Sequence, residues 1–353
     1  MRWNTRIANR DEIPKLLSLF QAVYNRPLSS EYWQWRYNGN PECNTEVLVI
    51  EHKGKIIGMR PMSSFTFKVA DTEIRATLFT DVATHPSFRR MGVFSSLIKE
   101  ATQLSENRGD RFIYTFPNKK SFPAYMKIES WNHIGSIPLY IKPLRIHNYL
   151  HRKVNKSNFV DSMSALRKLE INPPAIEIKE CQLSISKLNR FDKRIDELWN
   201  NINNKYPIIL KRDSQYLNWR YIQQPDVDYL ILCAESRDKI KGYIVLKTDT
   251  LFGWWAGLIV DILSENEETC FHLIAQAIKF FRKLKIEVAG CIITDILFYP
   301  LALRKNGFFR FPNLLCPKEF YVVCYYNSTF SDFSGEAQNF SKWFLTWGDT
   351  DTA

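Results

Sequence analysis

The chain has 353 residues, is 45 % hydrophobic and 14 % aromatic, and carries a formal net charge of +11. That length accommodates two domains of roughly 100–200 residues each. The apolar content excludes a disordered chain, and no apolar run reaches the ~18 residues that a membrane-spanning helix requires. Excess positive charge draws polyanions, among them phosphate-rich cofactors, nucleic acid and anionic membrane surfaces; part of it is concentrated between Lys142 and Lys156.

The opening segment MRWNTRIANRDEIPK lacks the apolar stretch of a signal peptide. Asp11 is placed to cap a helix whose apolar residues Ile13, Leu16, Leu17, Phe20 and Val23 recur at helical spacing. A short aromatic helix is expected over 30–37, then strands over 46–51, 55–61, 63–69 and 73–83, with Gly54 in a tight hairpin. Helix 91–105, strand 111–116, helix 119–128 and strand 132–141 complete a mixed α/β pattern. Cys43, Cys181, Cys233, Cys270, Cys291, Cys316 and Cys324 are scattered, without metal-ligand spacing. Most read as small buried hydrophobes in a reducing compartment, so a cytoplasmic protein without a metal is expected.

The pattern then repeats. Ser30-Glu-Tyr32-Trp-Gln-Trp35-Arg36-Tyr37-Asn-Gly-Asn-Pro41 returns as Ser214-Gln-Tyr216-Leu-Asn-Trp219-Arg220-Tyr221-Ile-Gln-Gln-Pro225, with six identities at a constant offset of 184 residues. Gly58 and Gly242, each following an apolar run, keep the same offset. The strand around Asp81 resembles the one around Asp261, and the segment from Pro123 to Trp131 resembles that from Pro300 to Phe308. A duplicated domain is inferred, with copies at 1–142 and 178–327, a linker at 143–177 and a tail at 328–353.

The chemically most informative segment is Asp81-Val-Ala-Thr84-His85-Pro86-Ser-Phe88-Arg89-Arg90-Met91-Gly92-Val93-Phe94-Ser95. A strand runs into a turn with two arginines and a glycine, and then into an amphipathic helix. The first N–H groups of a helix lack intrahelical partners and stand at the positive end of its dipole, so this junction suits a pyrophosphate. Gly92 removes a Cβ from the approach, and Arg89 and Arg90 add charge-assisted bonds.

This segment resembles motif A of the GNAT acyl-CoA transferases, (Arg/Gln)-x-x-Gly-x-(Gly/Ala), with Arg89 in the first place, Gly92 in the fourth and Phe94 where a small residue is usual. The resemblance implies tandem duplicated GNAT-like domains, each a mixed central sheet flanked by helices. It implies acyl-CoA bound by Val82, Ala83, Thr84, Arg89, Arg90, Met91, Gly92, Val93, Phe94 and Ser95. Asn118 follows the next strand and Tyr125 stands seven residues on. By the same resemblance the Asn118 amide bonds the pantetheine arm, and the Tyr125 hydroxyl protonates the departing thiolate. Backbone N–H groups near Val82 and Thr84 are placed to polarise the thioester carbonyl. Asp81 is a candidate general base, although Asp261 occupies its place in the second copy and favours a shared structural role.

The second copy lacks the Arg-x-x-Gly loop, and Glu265, Glu267 and Glu268 stand where arginines would be needed. One acyl-CoA per chain is therefore expected, with the second copy structural or forming part of an acceptor site. His85 is a turn residue by consensus, the Trp-Arg-Tyr boxes read as packing, and Trp254, Trp255 and Trp347–Asp351 are left as candidates for acceptor contact. Thr84-His85-Pro86, Phe116-Pro117-Asn118 and the Trp-Arg-Tyr box are similar to bacterial GNAT proteins of polysaccharide biosynthesis. That similarity implies an N-acyltransferase acting on a nucleotide-linked amino sugar, such as a dTDP-linked aminodideoxyhexose. No nucleic-acid partner and no membrane span are expected. The alternatives are a Fem-like aminoacyl transferase using aminoacyl-tRNA and a non-catalytic acyl-CoA-binding protein.

Overall fold

The computed structural model describes residues 3–42, 45–145, 183–327 and 331–350. The first helix forms at Ile13–Tyr24 and buries Leu16, Leu19 and Phe20 on one face. It does not begin at Asp11. A 3-10 turn at Arg10–Glu12 precedes it, and Glu12 reaches back to accept the Asn9 N–H at 3.0 Å, so the chain enters the helix through a capping box. Arg6 clamps the same carboxylate at 2.6 and 2.8 Å and bonds Glu51 at 2.6 Å. The Arg6 hydrogen bonds, helped by the Asn9 N–H, hold Glu12 down at about 2 against an ordinary 4.5. A carboxylate lowered in this way contributes stability that is complete above 4.5 and is lost as pH falls through about 2. The thermal midpoint should fall across that window, and Arg6→Ala should flatten the fall; the same slope in the variant would place the acid lability elsewhere.

The chain folds into two units, and neither is continuous in sequence. One comprises Met1–Gly135, Pro207–Val227 and Tyr321–Lys342; the other comprises Ser136–Tyr206, Asp228–Phe320 and Trp343–Ala353. The repeat suggests contiguous blocks ending near 142 and 327, whereas the units exchange segments. The stretch 146–182, with most of the expected linker and basic run, lies outside the described residues.

In the first unit the strands run in the order Thr5–Ile7, Glu46–His52, Lys55–Val69, Thr72–Phe79, Phe112–Thr115, Tyr321–Tyr326 and Trp131–Ser136. Thr72–Phe79 and Phe112–Thr115 are parallel. Lys55–Val69 is one strand of 15 residues rather than the expected two. Helix Val93–Asn107 covers one face, over Leu48, Ile50, Ile57 and Met62. Helix Ile13–Tyr24 covers the other, over Val47, Val49 and Met59. Gly58 sets the first contact: a Cβ there would stand 2.7 Å from Val93 Cγ1.

Both Trp-Arg-Tyr boxes lie in this unit and have the same form. Ser30–Trp33 and Ser214–Leu217 are single helical turns, capped by Ser29 and Asp213, and each runs into a π turn, Gln34–Asn38 or Asn218–Ile222. Trp35 and Trp219 stack with centroids 5.3 Å apart. Each indole N–H donates to the other's backbone carbonyl, at 2.6 and 2.9 Å. The packing expectation for these boxes thus takes a reciprocal form.

The second unit has a seven-stranded sheet in the order Phe309–Arg310, Leu139–Pro143, Val288–Ile292, Trp254–Ser264, Lys239–Leu251, Leu230–Ser236 and Ser184–Lys187. Leu139–Pro143, the last strand of the first repeat, lies here, and Tyr321–Tyr326, the last strand of the second repeat, lies in the first sheet. The expected single strand 132–141 is therefore two strands in two sheets. They part at Pro138, which has no N–H to give to a ladder. A fragment ending at residue 142 would lose the strand that pairs with Phe112–Thr115 and the partner of Trp35. It should not reach a cooperative fold; a sharp thermal transition in that fragment would show that the exchanged strand is dispensable.

Candidate active site

The strand Thr72–Phe79 pairs with Lys55–Val69 up to Met62↔Phe79, and pairing resumes at Met59↔Ala83 and Gly58↔Thr84. Three residues, Thr80, Asp81 and Val82, thus oppose two, Arg60 and Pro61. This is a β-bulge, which bends the strand and re-aims its side chains. Asp81 sits at its apex with φ 45°. The neighbouring parallel strand pairs along its backbone from Ala76 to Leu78, and the Thr115 hydroxyl donates to the Phe79 carbonyl at 2.9 Å just beyond.

After the bulge, His85 starts a 3-10 turn at Pro86–Phe88 and accepts the Ser87 N–H on Nδ1 at 3.3 Å. This is a local structural role. Arg90 and Gly92 then both take positive φ, 63° and 81°, and Gly92 leads directly into helix Val93–Asn107. Among the described residues no side chain caps this helix, and no acidic residue stands in its first turn. Arg89, Arg90, Met91, Gly92 and Ser95 are exposed. The Met91 carbonyl accepts the Trp3 indole N–H at 3.0 Å, which pins the loop. A Cβ on Gly92 would meet no protein atom within 4 Å, so the space above it is open and its requirement within the fold is the backbone conformation.

Phe94, the departure from the family pattern, is half-buried and meets Tyr125 edge-on with centroids 5.5 Å apart. Tyr125 ends the short helix Phe122–Tyr125, shorter than the expected 119–128, and is buried against Trp131. Asn118 holds the turn before it: its Oδ1 accepts the N–H groups of Lys120 and Ser121 at 2.9 and 3.1 Å, leaving the amide NH2 without a protein partner among the described residues. The structure thus gathers the helix end, Phe94, Tyr125 and the bulge around one region of the first unit. Val82 is tied in through its carbonyl, which accepts the Tyr24 hydroxyl at 2.8 Å.

Asp81 is held by the Trp-Arg-Tyr box. Its Oδ2 accepts a hydrogen bond from the Tyr37 hydroxyl and lies 3.4 Å from Arg36 Nε. Burial and the adjacent Asp81 carboxylate push the Tyr37 hydroxyl well above its usual ionisation range. Asp261 is also held by a tyrosine, Tyr243 at 3.1 Å, and by Thr346 at 3.0 Å. Asp349 is buried and accepts the Thr346 N–H at 2.7 Å, so this part of the tail forms an internal turn; Asp351 lies outside the described residues.

The corresponding helix of the second unit, Glu267–Lys283, begins differently. Asn266 caps it, accepting the Thr269 N–H at 2.9 Å, and Glu267 and Glu268 occupy its first turn. Glu267 pairs with Lys305 at 2.5 Å, and Glu265 with Lys241 at 2.7 Å.

Two features are not foreseen from the sequence. The tie from Arg36 and Tyr37 to Asp81 crosses 44 residues. Arg60 is buried on the same strand face as Gly58 and Met62 and donates to the Tyr125 hydroxyl at 2.8 Å. A charge at an inward position of an apolar strand is the available signal for the second.

The strand order with a central parallel pair, the bulge and the uncapped Arg-Gly helix entry define a GNAT-like α/β fold. Residues 4–132 match the Acetyltransferase (GNAT) domain. A GCN5-related N-acetyltransferase from Anabaena variabilis is similar in structure, with a TM-score of 0.65 at 13 % identity over 92 % of this chain and 72 % of that one. An N-myristoyltransferase from Saccharomyces cerevisiae, solved with bound myristoyl-CoA, gives 0.60 at 11 % identity over 92 % and 82 %. A GCN5-related N-acetyltransferase from Kribbella flavida gives 0.59 at 11 % over 92 % and 71 %. These likenesses show the fold. No curated protein matches in sequence. Among the described residues there is no cluster of potential metal ligands and no helix long and apolar enough to cross a membrane.

Proposed function

We propose that this chain is an acyl-CoA-dependent N-acyltransferase that binds one CoA, at the Arg89–Ser95 loop of the first unit. The observation that carries the reading is the contrast between the two equivalent helices. One begins at Gly92, uncapped and beside two exposed arginines, and the other is capped and acidic. Phosphate oxygens take the free N–H groups at the first and are repelled at the second. The match of residues 4–132 to an acetyltransferase domain, and a similar fold that binds myristoyl-CoA, support the same reading.

In the reaction a neutral amine attacks the thioester carbonyl, the C–N bond forms, the C–S bond breaks and its electron pair stays on sulfur. The Asn118 amide holds the pantetheine arm and Tyr125 protonates the sulfur. We assign Asp81 to holding the bulge rather than to proton abstraction, because its Oδ2 is engaged by Tyr37 and Arg36. A sugar amine with a pKa near ~8, like an α-amino group, loses its proton to water without a dedicated base. The acceptor we propose is the amine of a nucleotide-linked amino sugar, supported by the sequence similarity of the His-Pro turn, the Phe-Pro-Asn segment and the Trp-Arg-Tyr box to polysaccharide-biosynthesis enzymes.

Thiol release, screened with several acyl-CoAs against amino-sugar nucleotides and free amino acids, tests this directly. Calorimetry should give one CoA per chain and no tight binding of tRNA. Two CoA sites, or thiol release only with amino acids, would overturn the site assignment or the acceptor respectively.

A further inference from the structure

Arg60 is 1 % exposed, yet among the described residues no carboxylate pairs with it. Its Nη2 donates to Tyr125 Oη at 2.8 Å, while its Nε is buried without a partner among the described residues. Its guanidinium otherwise meets aromatic rings, with centroids at 4.9 Å for Phe79, 5.8 Å for Tyr125 and 5.9 Å for Phe94. The contrast with Arg108 is direct, since that guanidinium binds Glu46 at 2.6 Å and Asp110 at 3.2 Å. A buried cation without an anion is costly, and ring faces offset only part of the cost. Two more buried polar atoms without partners among the described residues are Thr80 Oγ1, within the bulge opposite Arg60, and Thr84 Oγ1, two residues beyond it. Three of the five such atoms among the described residues therefore belong to one short stretch of two adjacent strands. A site of this kind is complementary to a negative charge that the protein itself does not supply.

Resting on the acyl-CoA reading of this site, we propose that Arg60 is a positioning residue that, through Tyr125, seats the negative charge left on sulfur when the thioester is cleaved. Because Tyr125 Oη accepts from Arg60, its own proton points away from Arg60 and is free to go to sulfur. As the C–S bond breaks, the electron pair stays on sulfur, Tyr125 gives it a proton, and the tyrosinate formed is held by Arg60 until water reprotonates it. The proton released from the attacking amine goes to water. In the complex with free CoA the same arrangement favours the state in which sulfur and the Tyr125 oxygen hold one proton between them rather than two, so the bound thiol gives up a proton more readily than free CoA does.

The test compares CoA with desulfo-CoA on the full chain by calorimetry at pH 7 and pH 9, on either side of an ordinary thiol pKa of about 8.5. The wild type should gain about tenfold in affinity for CoA over desulfo-CoA between the two pH values, with protons released on binding at pH 7; one pKa unit corresponds to that factor. Arg60→Met, which keeps the volume and removes a buried charge, should lose the gain while binding desulfo-CoA as before, and Arg60→Lys should recover part of it. Tyr125→Phe should also lose it and serves as the reading if the methionine variant does not fold. A parallel response of CoA and desulfo-CoA in the wild type, or a gain kept in Arg60→Met, would overturn the inference while leaving CoA binding intact. No binding of either ligand to the wild type would remove the acyl-CoA reading and this inference with it.

Discussion

Gly92→Val is expected to weaken CoA binding by at least about a hundredfold, close to 2.7 kcal/mol. Two effects act together. At φ 81° a β-branched residue is strained by roughly 1–3 kcal/mol, so the turn shifts away from the geometry that presents the first helical N–H groups. The new side chain also stands in the open space above the loop, where phosphate oxygens are to lie. The core should survive, because position 92 is exposed and helix Val93–Asn107 is held by Val93, Leu97, Ile98 and Ala101. Should the valine variant fail to fold, Arg89→Ala with Arg90→Ala, both at exposed positions, reads the same site without a β-branched residue at a positive φ. Calorimetry on the folded variants checks the prediction. Wild-type affinity in both would show that CoA, if bound, sits elsewhere.

The loop proposed to hold CoA is legible because its physics is local. A strand, a turn with Arg-Arg-x-Gly and an amphipathic helix are neighbours in sequence, and the positive φ at Gly92 is the kind that glycine adopts readily. The duplication is legible because identical residues recur at one offset, and the structure gives the two Trp-Arg-Tyr boxes the same turn-and-π form. What the repeat does not reveal is which sheet receives the last strand of each copy. Either sheet offers the same edge hydrogen bonds to Leu139–Pro143 or to Tyr321–Tyr326, and alternation of apolar residues does not name the partner. Arg60 escapes a reading of the sequence for a related reason. Its meaning depends on Tyr125, 65 residues away, and on the lack of a carboxylate partner, neither of which leaves a mark in local sequence.

The exchange also bears on how the site is kept in shape. Within the first unit, Tyr321–Tyr326 pairs with Phe112–Thr115, the strand that leads to Asn118 and Tyr125. Phe122 stacks on Tyr321 with centroids 4.1 Å apart, and Trp131 lies 5.9 Å from Tyr325. The short helix that carries Tyr125 is thus braced by residues from the far end of the chain. Asp81 is braced from the other side, by Tyr37 and Arg36 of the box whose Trp35 stacks on Trp219.

Tyr125→Phe is expected to lower the maximal rate of thiol release between about ten- and a hundredfold, or roughly 1.4 to 2.7 kcal/mol of transition-state stabilisation. Phenylalanine keeps the ring contacts with Phe94 and Trp131, at 5.5 and 4.9 Å, so the fold and the affinity for acyl-CoA at neutral pH should be unchanged. What is lost is the proton for sulfur and the oxygen that Arg60 holds at 2.8 Å. The defect should therefore depend on the leaving group. With an acyl donor whose thiol is acidic enough to leave as the anion, such as an aryl thioester small enough to enter the site, the variant should approach the wild-type rate. With alkyl thioesters such as acyl-CoA the full loss should appear. A loss that is equal for both donors would mean that the hydroxyl orients the carbonyl rather than protonating sulfur, and a variant at the wild-type rate with acyl-CoA would mean that water or the helix dipole receives the thiolate instead. Arg60→Met combined with Tyr125→Phe tests whether the two side chains act as one. If Arg60 acts through the hydroxyl, the double variant should be no slower than Tyr125→Phe alone, because non-additivity of this kind marks residues that work as one unit.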